Sequence, residues 1–316
     1  MKNNFQIFSG RSNPSLADGI AKYLGQPLGK IEIVEFKDGE MYVKFHENIR
    51  GSDVFIIQST NPPAKNYLEI FLMIDAARRA SAKRITAVMP YYGYARQDRK
   101  NTPRVALSAK LFANMVTVAG ANRVMAMDLH SPQIQGFFDL PFDHLYSSLV
   151  LLDYLAKKDY MKNAVVMAPD IGGIKMARAY ARRLDLDLAV IDKRRESANK
   201  SEVMNIIGDI KGKVVIMLDD LVDTAGTLIN AADAAMERGA TAVYTMATHP
   251  VLSDNALERI EQSAIKKIIV TDTIPLPDDY KSTKIELVSV ANLFGEAIKR
   301  IHEERSISKL FDGQDY

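Results

Sequence analysis

The chain has 316 residues, 41 of them Lys or Arg against 39 Asp or Glu, for a formal net charge of +2, with 47% hydrophobic and 25% charged residues. That is ordinary globular composition with length for about two domains, and the near balance of charge argues against a protein that coats nucleic acid or an anionic membrane. Cysteine is absent, which removes disulfides, thiolate zinc sites, iron–sulfur clusters and a cysteine nucleophile together. The opening residues Met1 to Gln6 carry no apolar h-region, and no apolar run reaches the length of a membrane span, so the cytoplasm is the expected compartment.

Short β-branched runs alternate with helical periods, the pattern of a parallel α/β protein. Asp53 to Gln58 reads as a strand, followed by a helix from Asn66 to Arg79 whose face is marked by Leu68, Leu72 and Ala76. Arg84 to Met89 is a strand, Leu107 to Ala119 a helix and Arg123 to Met127 a strand. The rhythm repeats with strand Ala164 to Ala168. The amphipathic helix Gly172 to Leu184 comes next, with Ile174, Ala177, Ala181 and Leu184 on its apolar side. Strand Leu188 to Ile191, strand Val214 to Leu218, helix Thr227 to Arg238 closed by Gly239, and strands Ala242 to Ala247 and Lys267 to Thr271 follow. Arg123 to Asp128 matches Lys213 to Asp219, each a strand ending in an acid, which suggests one α/β unit used twice with a boundary near Leu145 to Leu149.

The strongest local signal is Val214 to Thr227. A buried strand runs into Asp219 and Asp220, then into Asp223-Thr224-Ala225-Gly226-Thr227 at the start of a helix. Backbone N–H groups at a helix N-terminus favour an anion. Thr224 and Thr227 add hydroxyls, and Gly226 permits close approach. Two carboxylates beside a phosphate cradle suit a phosphorylated pentose; the plainer reading of any single Asp-Thr pair is a helix cap.

This run resembles the phosphoribosyl-diphosphate signature of the phosphoribosyltransferase fold, and the chain as a whole resembles the class I ribose-phosphate diphosphokinases. The matching segments are Phe36 to Glu40, Tyr94 to Arg99, Asp128-Leu129-His130 with Gln133 to Phe138, Pro169 to Gly173, Asp192 to Arg195, Glu202 to Gly208 and the run above. The resemblance implies two phosphoribosyltransferase-like α/β domains, each a mainly parallel sheet flanked by helices. Residues 1–146 form the ATP side, joined by the tail 300–316, and residues 147–299 the ribose 5-phosphate side. It implies ATP and ribose 5-phosphate as substrates, with 5-phosphoribosyl 1-diphosphate and AMP as products. It also implies Mg2+ as cofactor, a homohexamer, and ADP and phosphate as regulators.

Carried over residue by residue, the resemblance places Lys193 and Arg195 as catalytic cations, and Phe36, Asp38, Gly39, Glu40, Arg96 and Gln97 at ATP. Ribose 5-phosphate takes Arg195, Asp219, Asp220, Asp223, Thr224, Ala225, Gly226 and Thr227. Asp170, Gly172 and Gly173 receive the diphosphate, and His130 and Asp170 hold magnesium. Each segment also has its own physics and a plainer alternative. Lys193-Arg194-Arg195 before the polar stretch Glu196 to Ser201 is a basic loop able to close on polyphosphate, or a solvated basic turn. Asp170 to Gly173 is a diphosphate nest or a simple strand–helix turn. One imidazole with one carboxylate is a poor zinc cage but can hold magnesium that also takes phosphate and water. Phe36 can stack on adenine while Asp38 and Glu40 accept from base or sugar, or all three are turn residues. Neither G-x-x-x-x-G-K-[ST] nor G-x-G-x-x-G occurs, so ATP must bind by other means.

Tyr91, Tyr92 and Tyr94 among Arg96, Arg99, Lys100 and Arg104 would suit a single-stranded nucleic-acid platform, but the charge balance disfavours it and no nucleic-acid or membrane partner is expected. Two other functions compete with the enzyme: a phosphoribosyltransferase consuming the diphosphate, which would not need Phe36 to Glu40, and a non-catalytic regulatory homologue, against which the intact Lys193-Arg194-Arg195 argues. Glu196 stands where many relatives carry proline, which would make that loop less stiff.

Overall fold

The computed structural model describes residues 5–194, 203–277 and 280–311. The chain divides into two compact units. The first runs to Tyr146 and takes in Thr273–Pro275 and Ser289–Leu310; the second holds Ser147–Asp272, Leu276–Val288 and Phe311.

The first unit is built on strands β1 (Phe5–Ser9), β4 (Asp53–Ile57), β5 (Arg84–Met89), β6 (Arg123–Met127) and β7 (Phe142–Leu145). They pair in the order β1-β4-β5-β6-β7, all parallel. β4 is buried along its whole length, so it reads as a continuous apolar run, as a strand covered on both faces must. A separate antiparallel hairpin joins β2 (Ile31–Glu35) and β3 (Met41–Phe45). Helix α1 (Pro14–Leu24) starts on an Asn13 cap, whose Oδ1 accepts from Leu16 N at 3.3 Å, and stops at left-handed Gly25.

Helix α2 (Lys65–Arg79) turns a different face inward from the one its period-four row suggests. Leu68 is 54% and Leu72 38% exposed, while Tyr67, Ile70, Met73, Ile74 and Ala77 are buried. The sequence is apolar on more than one side, and the wider stripe removes more area from water. That stripe also carries Glu69, which is buried and ion-paired: its Oε2 accepts from Arg11 Nε at 2.7 Å, and its Oε1 from Gln58 Nε2 at 3.0 Å. Helix α3 (Ser108–Ala119) stacks Phe112 on Tyr67 with ring centroids 4.0 Å apart.

Of the second unit's seven strands, β8 (Ala164–Ala168), β9 (Asp187–Arg194), β10 (Val203–Ile207) and β11 (Val214–Val222) precede β12 (Ala242–Pro250), β13 (Ile265–Thr271) and β14 (Ile285–Val288). The sheet order is β10-β9-β8-β11-β12-β13-β14, parallel except for β10 against β9. Helices α4 (Ser148–Ala156), α5 (Ile174–Leu184), α6 (Gly226–Glu237) and α7 (Ala256–Gln262) flank it. The apolar side of α5 packs as its spacing predicts, with Ala177 and Ala181 buried and Ile174 and Leu184 against the same cluster.

Helix α8 (Ala291–His302) returns to the first unit as a whole, so the chain crosses back at Ser289 rather than near residue 300. Tyr23 of α1 explains why. Its hydroxyl donates to Glu296 Oε2 at 3.0 Å, and its ring lies where a side chain on Gly295 would sit.

The duplication is clear in topology but pairs other strands than the acid-ended match suggests. β1-β4-β5-β6-β7 aligns with β8-β11-β12-β13-β14. β11 therefore corresponds to β4, and β6, which ends before Asp128, corresponds to β13, which ends before Asp272. An acid at a strand's carboxyl end is too common a feature to fix the register of a repeat.

Candidate active site

Strand β11 carries the central feature. It continues past the expected end at Leu218 to Val222 because β12 pairs with it throughout: Asp219 sits opposite Ala247 and Leu221 opposite His249. On its other side β8 pairs only as far as Met217 with Met167. The Asp219-Asp220 segment is thus held on one edge and released on the other. Asp220 N donates to Asp219 Oδ1 at 2.9 Å. Burial first, then the charges of Asp220 and Asp170, push the Asp219 carboxyl up to about 8.

The turn after β11 opens α6. Ala225 is buried in the left-handed region at φ 60°, a conformation that costs an L-residue about 1 kcal/mol. The N-cap residue Ala225 has no side chain able to cap α6, and the helix N-terminus there is a place that favours an anion. Thr224 and Thr227 are exposed, and Asp223 Oδ1 accepts from Ser253 Oγ. Asp219, Asp220 and Asp223 to Thr227 therefore form one continuous carboxylate, hydroxyl and amide surface at the end of β11.

Asp170 lies beyond the carboxyl end of β8. Its Oδ1 accepts from Gly173 N at 2.9 Å, so the carboxylate closes the turn into α5. Gly172 is exposed and Gly173 half-buried, and neither uses a left-handed φ. Lys193 and Arg194 are the last residues of β9, paired with Met204 and Val203 of β10, rather than part of the loop. Arg195, Glu196 and the stretch to Glu202 lie outside the described residues.

In the first unit, Phe36 to Glu40 form the exposed tip of the β2–β3 hairpin. Phe36 N donates to Glu40 O at 2.8 Å, and Gly39 N to Phe36 O at 2.9 Å. Gly39 has φ 94°, which requires glycine there. Asp38 Oδ1 accepts from Glu40 N at 3.0 Å, and the Phe36 ring is 51% exposed, open for stacking. Arg96 and Gln97 are also exposed; Gln97 Oε1 accepts from Ser108 Oγ at 2.5 Å and ties its loop to α3. The tyrosines beside them are engaged in packing, with Tyr94 partly exposed. Tyr91 and Tyr92 are buried, Tyr92 donates to Ala109 O at 2.6 Å, and Tyr94 stacks on Phe112 at 4.5 Å.

His130 is exposed at the carboxyl end of β6, in the first unit, whereas Asp170 belongs to the second. Asp128 takes the positive φ of 34° that turns the chain there. Sequence reasoning assigned no role to His144, yet it shapes this loop: its Nε2 accepts from Leu129 N at 3.0 Å. The Tyr146 ring packs against His144, tilted by 40° with centroids 4.4 Å apart, and burial, then the Asp128 charge, raises the Tyr146 phenol above its ordinary value. The local hint is weak: two polar aromatic residues, His144 and Tyr146, stand two apart at the end of a short strand.

Comparison with known proteins shows the family. Residues 5–120 match the N-terminal domain of ribose phosphate pyrophosphokinase, and residues 195–312 the phosphoribosyl synthetase-associated domain. A ribose-phosphate pyrophosphokinase of Chlorobaculum tepidum is 58% identical over 315 residues, covering 100% of this chain and 97% of that one. One from Caldanaerobacter subterraneus is 54% identical, covering 98% of each. The crystal structure of phosphoribosylpyrophosphate synthetase from Mycobacterium smegmatis superposes with a TM-score of 0.90 at 40% identity, covering 95% of this chain and 99% of that one. The chain belongs to the ribose-phosphate pyrophosphokinase family.

Proposed function

We propose that the two units divide the substrates of diphosphoryl transfer. Exposed Phe36 to Glu40, Arg96 and Gln97 take ATP; Asp219, Asp220 and Asp223 to Thr227 take ribose 5-phosphate. The enzyme transfers the diphosphoryl group of ATP to the anomeric hydroxyl of ribose 5-phosphate, giving 5-phosphoribosyl 1-diphosphate and AMP. The anomeric oxygen forms a bond to the β-phosphorus while the bond from that phosphorus to the α–β bridging oxygen breaks, and AMP leaves with that oxygen. The observation that carries the reading is the end of β11. Two carboxylates fit the ribose hydroxyls, and they run directly into the N-terminus of α6, which fits the 5-phosphate.

The protein's task in such a transfer is alignment and charge neutralisation. Asp219 and Asp220 orient the sugar ring, the amides and hydroxyls of Thr224 to Thr227 hold its phosphate, and the Asp170 turn receives the diphosphate. Lys193 and Arg195 neutralise the group in transit. Among the described residues no group of three or more His, Cys, Asp or Glu makes a closed metal cage. The donors present suit Mg2+, which completes its shell with water and phosphate oxygens. The crowding of Asp219 by Asp220 and Asp170 marks a place where a cation is favoured. His130 and Asp170 would be its protein ligands, and the ion would supply neutralisation of phosphate charge.

The same reading extends to a cytoplasmic homohexamer regulated by ADP and phosphate. Among the described residues no helix is long and apolar enough to cross a membrane. Mass measurement in solution, with and without phosphate, tests the assembly. Phosphorus NMR with ATP, magnesium, ribose 5-phosphate and inorganic phosphate tests the reaction. AMP and a sugar 1-diphosphate should appear in equal amounts. ADP would mean γ-phosphoryl transfer instead, and no turnover would mean a regulatory homologue.

A further inference from the structure

We propose that Arg259 is the cationic wall of the phosphate cradle and sets specificity for the 5-phosphate; the inference rests on the assignment of Asp223 to Thr227 to that group. Arg259 stands on α7, whose Ala256 and Ile260 are buried in the same apolar cluster as Leu228 and Ala231 of α6. The loop ahead of α7 is fastened to the cradle twice. Leu252 N donates to Val222 O at 2.9 Å, and Ser253 Oγ donates to Asp223 Oδ1. From this base the guanidinium reaches back over the first residue of α6. A Cβ built on Gly226 would lie 3.0 Å from Arg259 Nη2 and 3.9 Å from its Cζ and Nη1, and these are its three nearest atoms.

This explains the glycine. Gly226 does not use a left-handed φ, so conformation alone does not demand it. The missing side chain instead makes room for the guanidinium. Arg259 is half-buried, and its guanidinium has neither a hydrogen-bond acceptor nor a carboxylate among the described residues. A partly desolvated charge without a counter-ion is unfavourable, and the planar fork of arginine matches phosphate oxygens. The cradle from Asp223 to Thr227 contains no cation of its own and one carboxylate. Helix amides and hydroxyls would otherwise face a phosphate dianion alone. Arg259 supplies the missing charge and so separates ribose 5-phosphate from an unphosphorylated pentose.

Steady-state kinetics of the full chain test this. Arg259→Gln should raise KM for ribose 5-phosphate roughly ten- to hundredfold, the range for a hydrogen bond to a charged group. Its kcat and its KM for ATP should stay within about twofold, and Arg259→Lys should recover part of the loss. Gly226→Ala should raise the same KM in the wild-type background and much less beside Arg259→Gln, because both act through one guanidinium. An unchanged KM for ribose 5-phosphate in Arg259→Gln overturns the proposal, as does a joint change in kcat and in KM for ATP. Asp220→Asn separates the two levels. If it abolishes ribose 5-phosphate binding while Arg259→Gln does not, the cradle stands and Arg259 has no part in it; if neither variant alters binding, the cradle assignment itself fails.

Discussion

At the scale of the residue, Lys193 and Asp219 make the sharpest tests. Lys193 is the penultimate residue of β9 and the first of the basic run, and the proposed function gives it the part of a cation that meets charge developing during transfer. Lys193→Ala should lower kcat about a hundredfold or more, as loss of a transition-state donor does, while ATP binding measured by titration persists. Unchanged turnover would remove the role. Asp219 is tested by pH. Its folded pKa of about 8 lies above the ordinary 3.8, so between those values the folded protein holds a proton the unfolded chain has released. Stability therefore falls as pH rises through that window, and the penalty is complete above about 8. Asp219→Asn removes the penalty. The difference in Tm, variant minus wild type, should grow from pH 4 to pH 8 and then level off in the ligand-free protein. These residues were legible in the sequence because each sits at a strand end with chemistry of its own. The raised Asp219 pKa was not, since it depends on burial and on the carboxylates of Asp220 and Asp170.

At the scale of the element, the loops are held by backbone contacts that admit no extra atom. Gly93 follows the buried tyrosines, and a Cβ there would lie 2.2 Å from Thr60 O, a backbone atom that has no rotamer to change. The same loop is locked from both sides. Gly93 N donates to Thr60 Oγ1 at 2.9 Å, and Tyr67 Oη donates to Gly93 O at 2.7 Å. Gly93→Ala should destabilise the protein by about 3 kcal/mol, the upper range for overpacking, read as a fall in Tm and in the denaturant midpoint. Element type was readable from local spacing for β4, α5 and α6. Face and length were less so. Leu68 and Leu72 mark a valid helical row, but tertiary packing buried the broader row beside it. β11 outran its apolar segment because pairing with β12 continues through two carboxylates that no hydrophobic count would include.

At the scale of the whole molecule, the chain does not simply end one unit and begin the next. Phe294 of α8 is fully buried with Ala297 and Ile298, and the helix belongs to the unit that β1 opened. Phe294→Ala should cost roughly 3–5 kcal/mol. Hydrogen exchange should show the loss in β1, β4 and β5, with protection of β11 and β12 retained. Equal loss in both sheets would mean that the two units unfold as one.

The amino-acid sequence by itself determined the alternation of strand and helix, the two-unit plan and the kinds of side chain at the strand ends. All of these are written in neighbours a few residues apart, where periodicity and turn chemistry act. Only the tertiary structure decided which carboxylate is pushed up, which face of α2 is buried, which guanidinium lies over Gly226 and that His144 braces the turn before His130. Those depend on groups distant along the chain meeting at one sheet edge or one helix end. Such encounters follow from strand order, which local patterns do not encode.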